Sequence, residues 1–161
     1  MAPSKRDEID DVAGVVLTAS RALMGIAVRS IAAVDDDVTL VQYRALVLLV
    51  SQGEQKVSDL AEALGIHPST ATRLCDRLVA KELVERSTSA ESRREIVLSV
   101  TGAGRAIVRT VSARRRKEVV QIVERMPRAE RVQLRAAFGM FSEAAGELAF
   151  PDDAWKLGWT T

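Results

Sequence analysis

Cysteine, histidine and aromatic residues are scarce in this chain. Cys75 and His67 are the single examples of their kinds, and Phe, Trp and Tyr together make up 4% of the sequence. A lone cysteine cannot form an internal disulfide, so the composition favours a reducing cytoplasm over a secreted, disulfide-linked scaffold. One histidine and one cysteine are also too few for the usual zinc site, and we expect no metal.

Motifs that bind cofactors or catalyse reactions are lacking as well. The sequence has no phosphate-binding loop, no dinucleotide-binding glycine pattern and no metal-binding helix motif. A single histidine beside a single cysteine leaves little for acid–base or nucleophilic catalysis. We therefore expect a protein that is not an enzyme and that uses no cofactor.

An excess of charge of either sign is missing too. The formal net charge is +1 and the isoelectric point is near 7.9. This balance neither requires nor excludes nucleic acid as a partner, for which a clearly basic domain would argue more strongly. The positions of the charges must therefore be considered.

No long apolar run is free of charge. The most apolar segment, residues 12–34, contains Arg21 and Arg29, each of which would cost about 2.5–3.5 kcal/mol at the centre of a bilayer. Four acidic residues between positions 7 and 11 precede this segment, where a signal peptide would carry positive charge. We expect no membrane association and a cytoplasmic protein.

The first half of the chain contains signals for four helices. Apolar residues recur at helical spacing over residues 7–34 and predict a long first helix. Thr39 and Gln42 form a capping box before a second helix, and Ser58 is placed to cap a short third helix. Gly65 ends that helix, and Pro68 opens a fourth that continues to about residue 81. Two short helices joined in this way predict a helix-turn-helix.

Two strands and two further helices follow. Segments 83–87 and 95–100 predict a hairpin, with Ile96, Leu98 and Val100 sharing one face of the second strand. Thr101 caps a fifth helix that reaches residue 126, and Pro127 opens a sixth. The sixth helix is predicted to turn four apolar residues inward: Val132, Phe138, Phe141 and Leu148. The fold class is mainly α with a small two-stranded β-wing.

The fourth helix has an apolar and a polar face. Ala71, Leu74, Cys75 and Leu78 recur at spacings of three and four residues and predict the buried side. The opposite side, here called the polar face, consists of Ser69, Thr70, Thr72, Arg73, Asp76 and Arg77. Hydroxyl and guanidinium groups suit phosphate oxygens and the base edges of a major groove. A merely solvated surface is the alternative, but the helix-turn-helix spacing favours DNA recognition.

Further candidate DNA contacts lie outside this face. Arg93 and Arg94 stand at the predicted hairpin tip, from which a cation can enter an adjacent minor groove. Two arginines in a hairpin are usually solvated, so their assignment depends on the preceding helices. His67 and Arg105 are candidate contacts to the DNA backbone.

Three segments together resemble the multiple antibiotic resistance regulator (MarR) family. They are DLAEALGIHPSTATRLCDRL at 59–78, LVER at 83–86 and IVLSVTGAG at 96–104. By motif the likeness covers about residues 39–108, and by architecture it extends to nearly the whole chain. The resemblance implies a winged helix-turn-helix with a helical dimerisation region, in which residues 69–77 enter the major groove and Arg94 enters the minor groove.

The resemblance also implies how the chain is organised. Family members dimerise through their first, fifth and sixth helices, which predicts an N-terminal dimerisation helix at 1–38, a DNA-binding domain at 39–104 and C-terminal dimerisation helices with a tail at 105–161. The expected partners are double-stranded DNA and a second copy of the chain. A small, often aromatic or anionic inducer is a further expectation, although no residue identifies it.

The sequence departs from the family pattern at three positions. Ser92 replaces the acidic residue that usually precedes the wing arginine, so the ion pair that would hold Arg94 is absent or supplied by Glu91. Glu82 stands where a glycine normally ends the recognition helix, and His67 stands where Ser or Thr commonly caps it. We expect an intact helix whose ends are less well specified.

Some features have two interpretations. Cys75 fits a redox sensor but fits a small buried apolar residue better. The basic run 114–117 favours a solvated or inter-subunit ion-pair role over DNA contact. Trp155 and Trp159 in the tail either dock onto the dimer or cover a ligand cleft. For the whole chain, the alternative to a DNA-binding repressor is a winged-helix module that binds protein partners and lacks DNA affinity.

Overall fold

The six helices and two strands predicted from the sequence are present in the computed structural model, which describes residues 4–35, 37–88 and 96–147. Their bounds are α1 (Lys5–Ala32), α2 (Leu40–Gln52), α3 (Val57–Leu64), α4 (Pro68–Ala80), β1 (Val84–Thr88), β2 (Ile96–Val100), α5 (Gly102–Glu124) and α6 (Arg128–Ala144). The fold class predicted from the sequence, mainly α with a two-stranded wing, is confirmed.

Side-chain caps fix where most of the helices begin. The predicted box at α2 is present: the backbone N–H of Thr39 donates to Gln42 Oε1 at 2.9 Å, and that of Gln42 donates to Thr39 Oγ1 at 3.3 Å. A second box, between Ser4 and Asp7, starts α1 earlier than expected. The prediction for α3 was wrong, because that helix begins at Val57 and the Ser58 hydroxyl donates to the Asp59 carboxylate instead of capping it.

The core lies where α2, α3, α4 and the sheet meet the first half of α5. Its most fully buried large side chains are Leu46, Leu49, Leu60, Leu78, Leu98 and Val111. Ile31, at the end of α1, belongs to the same cluster. The Tyr43 hydroxyl, on α2, lies 3.0 Å from Ser112 Oγ on α5 and so pairs its one polar atom within this apolar setting.

The two strands form an antiparallel pair in which Val84 lies opposite Val100 and Arg86 lies opposite Leu98. The segment between α2 and α3 joins this sheet by one bridge, because the N–H groups of Gln55 and Leu98 donate to each other's carbonyls at 3.0 and 2.8 Å. Ile96, at the start of β2, is 61% exposed, whereas Leu98 and Val100, which share its face, are buried, as is Val97 on the other face.

The inward face expected for α6 is not buried within one chain. Val132, Phe138 and Phe141 are 63%, 41% and 52% exposed, and α6 has no buried residue. Leu148 lies outside the described residues. The prediction was wrong for a single chain because no other element within the described residues covers these three side chains.

Most of α1 is similarly uncovered. One stripe of α1 alternates spacings of three and four through apolar residues at positions 9, 12, 16, 19, 23 and 26 and ends at Ser30. The buried residues of α1 all lie near its end: Ile26, Ala27, Ser30 and Ile31. Ile9 and Val12, on the same stripe, are 56% and 59% exposed. By length and composition α1 is also able to cross a membrane. Its end is instead tied to α5 by an ion pair in which Arg29 Nη2 lies 2.8 Å from Glu118 Oε2.

Glu82, between α4 and β1, adopts the left-handed conformation that the family pattern assigns to glycine. Its φ is 57°, and among the described residues it is the one non-glycine with positive φ. Its backbone holds two neighbours, because its N–H donates to Val79 O at 2.9 Å and its carbonyl accepts from Thr101 Oγ1 at 2.7 Å. A side chain in this conformation costs about 1–2 kcal/mol.

We expect Glu82→Gly to stabilise the fold by about 1 kcal/mol, because glycine relieves this cost but gains entropy in the unfolded chain. Both backbone hydrogen bonds remain available. Thermal unfolding should show Tm raised by about 2–4 °C. Glu82→Ala is the control, because it keeps the Cβ and should give no such gain. Equal Tm values for the two variants would contradict this account of the turn.

Candidate nucleic-acid interface

The third and fourth helices meet at a tight turn centred on Gly65. This residue has φ 64° and caps α3, with its N–H donating to Glu62 O at 3.0 Å. The next N–H, of Ile66, donates to Ala61 O at 3.0 Å. Left-handed backbone suits glycine, and this paired closure is the common end of a helix before a change of direction. The turn sets α4 across α3 as a helix-turn-helix requires.

An imidazole caps the start of α4. His67 Nδ1 accepts from the Ser69 backbone N–H at 3.3 Å and lies 2.9 Å from Ser69 Oγ. An acceptor Nδ1 places the ring hydrogen of neutral histidine on Nε2. His67 therefore supplies the cap that we expected to be poorly specified and keeps an outward N–H donor.

The two faces of α4 differ sharply in burial. Ala71, Leu74, Cys75 and Leu78 are all buried. Every member of the polar face is exposed: Ser69, Thr70, Thr72, Arg73, Asp76 and Arg77. Burial of the apolar side against α3 and the sheet thus holds the polar face outward, where it is open to a large ligand.

Some of these side chains are bonded to their own helix. Thr72 Oγ1 donates to Pro68 O at 3.0 Å, and Arg73 Nε donates to Ser69 O at 3.3 Å. Arg77 forms no side-chain hydrogen bond or ion pair with any residue of the described ranges 4–35, 37–88 and 96–147. Within the described residues Arg73 is therefore held by a weak backbone contact and Arg77 by none.

An ion pair joins α4 to the wing. Arg86 on β1 binds the carboxylate of Asp76 on the polar face. The sequence placed Asp76 on that face but did not reveal its partner. Strand alternation puts Arg86, two residues after the buried Val84, on the side of β1 that faces the helices, but it does not show which residue of α4 lies opposite.

The remaining candidate contacts are only partly within the described residues. Arg105 lies in the first turn of α5 with its side chain exposed, close in sequence to β2. Arg93 and Arg94, together with Glu91 and Ser92, lie outside the residues that the structure describes, as do Trp155 and Trp159.

Comparisons with known proteins place this geometry in a family. The family model described as MarR family matches residues 38–96. The HTH-type transcriptional repressor MdtR of Bacillus subtilis is 32% identical over 108 residues, which cover 67% of this chain and 70% of MdtR. The chain belongs to the MarR family. MarR-family proteins are transcription regulators that bind DNA, and not enzymes, as the sequence predicted.

Two further similarities differ in extent. The crystal structure of RV1404 from Mycobacterium tuberculosis is 42% identical, with a TM-score of 0.79, and the match covers 91% of this chain and 99% of RV1404. The uncharacterised HTH-type transcriptional regulator YfiV of Bacillus subtilis is 41% identical over 73 residues, which are 45% of this chain and 46% of YfiV. The MarR-family likeness therefore includes the helices outside the helix-turn-helix.

Cys75 is a buried core residue in this MarR-family chain, as the sequence favoured. It is 1% exposed and belongs to the same cluster as Leu78 and Leu98. Burial raises the pKa of its thiol, and the nearby positive charge of Arg86 opposes this only in part. The thiolate, which is the form that reacts with oxidants, is therefore disfavoured.

We expect Cys75 to react with an aromatic disulfide reagent about a hundredfold or more slowly in the native protein than in urea, because access requires local opening of the core. The reaction is followed by absorbance of the released thiolate. Full reaction of one thiol in urea is the control. Rapid reaction of the native protein would revive the redox interpretation.

Proposed function

We propose that this MarR-family chain is a cytoplasmic homodimeric repressor that binds a pseudo-palindromic DNA operator. The exposed polar face of α4, held outward by a fully buried underside, is the observation that carries the proposal. The name of MdtR, a transcriptional repressor, supports the direction of regulation.

The polar face offers two kinds of contact to DNA. Arg73 and Arg77 carry planar guanidinium groups that can bind guanine O6 and N7 in the major groove. Ser69, Thr70 and Thr72 lie nearer the start of the helix and offer hydroxyls to phosphate oxygens. In this proposal the arginines provide most of the base recognition and the hydroxyls fix the helix on the backbone.

Backbone contacts extend the interface on both sides. The Nε2–H of His67 is free to donate to a phosphate because Nδ1 is occupied by the cap. Arg105 supplies a charge at the start of α5. Arg93 and Arg94 remain the predicted wing-tip contacts, with Arg94 assigned to the minor groove by the family resemblance.

The uncovered helices support dimerisation. The stripe of α1 and the apolar side of α6, where Leu134, Phe138 and Phe141 recur at spacings of four and three, need a cover that one chain does not provide. A second copy offers the same surfaces in reverse. We retain the division into 1–38, 39–104 and 105–161 as part of this proposal, with dimerisation assigned to the first and last parts.

A dimer explains operator symmetry and control. Two recognition helices would meet half-sites about 34–36 Å apart on one side of the duplex. Occupancy of such a site blocks transcription. A small-molecule inducer that altered the separation of the two DNA-binding domains would favour release, because it would bind one arrangement more tightly than the other.

The double variant Arg73→Ala/Arg77→Ala should lose at least about tenfold in affinity for an operator selected from random duplexes, since each bidentate base contact is worth about 1–3 kcal/mol. Fluorescence anisotropy measures this directly. Arg125→Ala/Arg128→Ala, at two exposed positions between α5 and α6, removes the same charge as a matched control and should bind as the parent does.

Salt titration separates this function from the protein-interaction alternative, to which the near-neutral charge lends weight. The parent's affinity should fall linearly in log–log form as salt rises, because phosphate contacts release counterions. If no selected duplex bound, or if the double variant bound like the parent, the DNA-recognition assignment would be wrong.

Phe138→Asp should convert the dimer to a monomer at micromolar concentration, because a carboxylate would be buried in the proposed interface at a cost of several kcal/mol. Sedimentation velocity measures the change. Ala136→Asp, two residues from Phe138 and therefore on the opposite side of α6, introduces the same side chain at an exposed position and should leave the dimer intact. A parent protein that is monomeric throughout would exclude the homodimer.

A further inference from the structure

The pair formed by Asp76 and Arg86 stands between the two parts of the winged helix that face DNA. Asp76 is the one acidic residue in α4, and Arg73 and Arg77 precede and follow it on the same exposed side. Arg86 reaches it from β1, which leads directly to the wing tip. The Asp76 side chain is 52% exposed and the Arg86 side chain is 38% exposed.

An unpaired Asp76 would oppose the proposed function. Its carboxylate would lie among the groups offered to DNA, and a like charge brought near phosphates weakens association. Arg86 neutralises this charge without coming from the helix itself. β1 is anchored by Val84 in the core and by its register with β2, so its place beside α4 does not depend on this ion pair.

We propose that Arg86 is a positioning residue for DNA recognition, which masks the Asp76 carboxylate, and that it makes no contact with DNA. This inference rests on the proposed DNA-binding function. Arg86 keeps its bond to Asp76 in the complex, whereas Arg77 and Arg73 turn to the duplex. The Asp76 carboxylate then does not weaken DNA binding as long as Arg86 neutralises it.

Three variants on the selected operator test this by anisotropy. Arg86→Ala should weaken binding by about tenfold or more, because it leaves Asp76 uncompensated beside phosphates. Asp76→Asn should stay within about threefold of the parent, since without the carboxylate there is no negative charge for Arg86 to neutralise. The double variant Asp76→Asn/Arg86→Ala should recover to within about threefold of Asp76→Asn alone.

Glu85→Gln provides the matched control. Glu85 precedes Arg86 on β1 but points to the other side of the sheet, where it accepts from the Ser99 hydroxyl at 3.2 Å. The double variant Glu85→Gln/Arg86→Ala changes the net charge by the same amount as Asp76→Asn/Arg86→Ala. It should remain about as weak as Arg86→Ala, because Asp76 stays exposed.

Three further measurements separate positioning from other roles. The double variant Asp76→Asn/Arg86→Ala should keep the parent's salt slope, whereas loss of a direct phosphate contact would reduce the slope by about 0.9. Arg86→Lys should bind within about threefold of the parent, because a lysine can still pair with Asp76. Tm of Arg86→Ala should fall by no more than about 4 °C, since half-exposed pairs add little stability.

The outcomes distinguish the positioning role of Arg86 from the proposed DNA-binding function. If the parent binds DNA and Arg73→Ala/Arg77→Ala does not, but Asp76→Asn fails to restore Arg86→Ala, only the positioning role is overturned. Equal recovery with Glu85→Gln would also overturn it, in favour of a general charge effect. A parent that bound no selected duplex would overturn the proposed function and this inference with it.

Discussion

Burial of the underside of α4 is the constraint on which the rest of the interface depends. Ala71, Leu74, Cys75 and Leu78 have no freedom to rotate outward, because each fills part of a close-packed cluster with α2, α3 and the sheet. The rotation of α4 about its own axis is thereby fixed, and with it the direction of every polar side chain on the opposite face. Adding or removing one methylene on the buried side would therefore shift the side chains on the exposed side.

The same chain leaves two other helices without a comparable partner. The α1 stripe enters the core only at its last turns, and α6 buries none of its side chains. Such helices gain little stability from intrinsic propensity alone, because helices in water depend on packing of an apolar face. In the proposed dimer, a second copy would supply the packing that stabilises these helices.

Local signals in the sequence were enough for most of the fold. The boxes, glycines and prolines act within a few residues, so the starts of α2 and α5 and the turn at Gly65 could be predicted directly. Ser58 misled because a serine beside an aspartate can bond to that neighbour, and nothing in the sequence ranks the two bonds. The periodicity of α6 reveals an apolar side, but it does not show whether the same chain or a second chain covers that side.

In the candidate site, too, local patterns predicted some features, whereas others depend on how distant elements pack. Helical spacing predicted the polar face of α4, because its exposure follows from the residues on the reverse side of the same helix. The link between Asp76 and Arg86 joins a helix to a strand and depends on how β1 crosses α4, which no local pattern contains. His67 lies between these cases: its position before Pro68 was visible, but imidazole is an uncommon cap, and only the distance from Nδ1 to the Ser69 nitrogen identifies it.

The hydrogen bonds of the free protein also bear on how DNA recognition would proceed. Arg73 gives up a 3.3 Å bond to Ser69 O when it turns to a base, and that carbonyl remains satisfied within the helix. Arg86 would give up a charge-assisted bond and leave a carboxylate behind. Arg73 lies on the polar face of α4 and Arg86 reaches that face from β1, but they would leave different groups unpaired. Within the proposed function, this difference favours Arg73 as a moving contact and Arg86 as a fixed one.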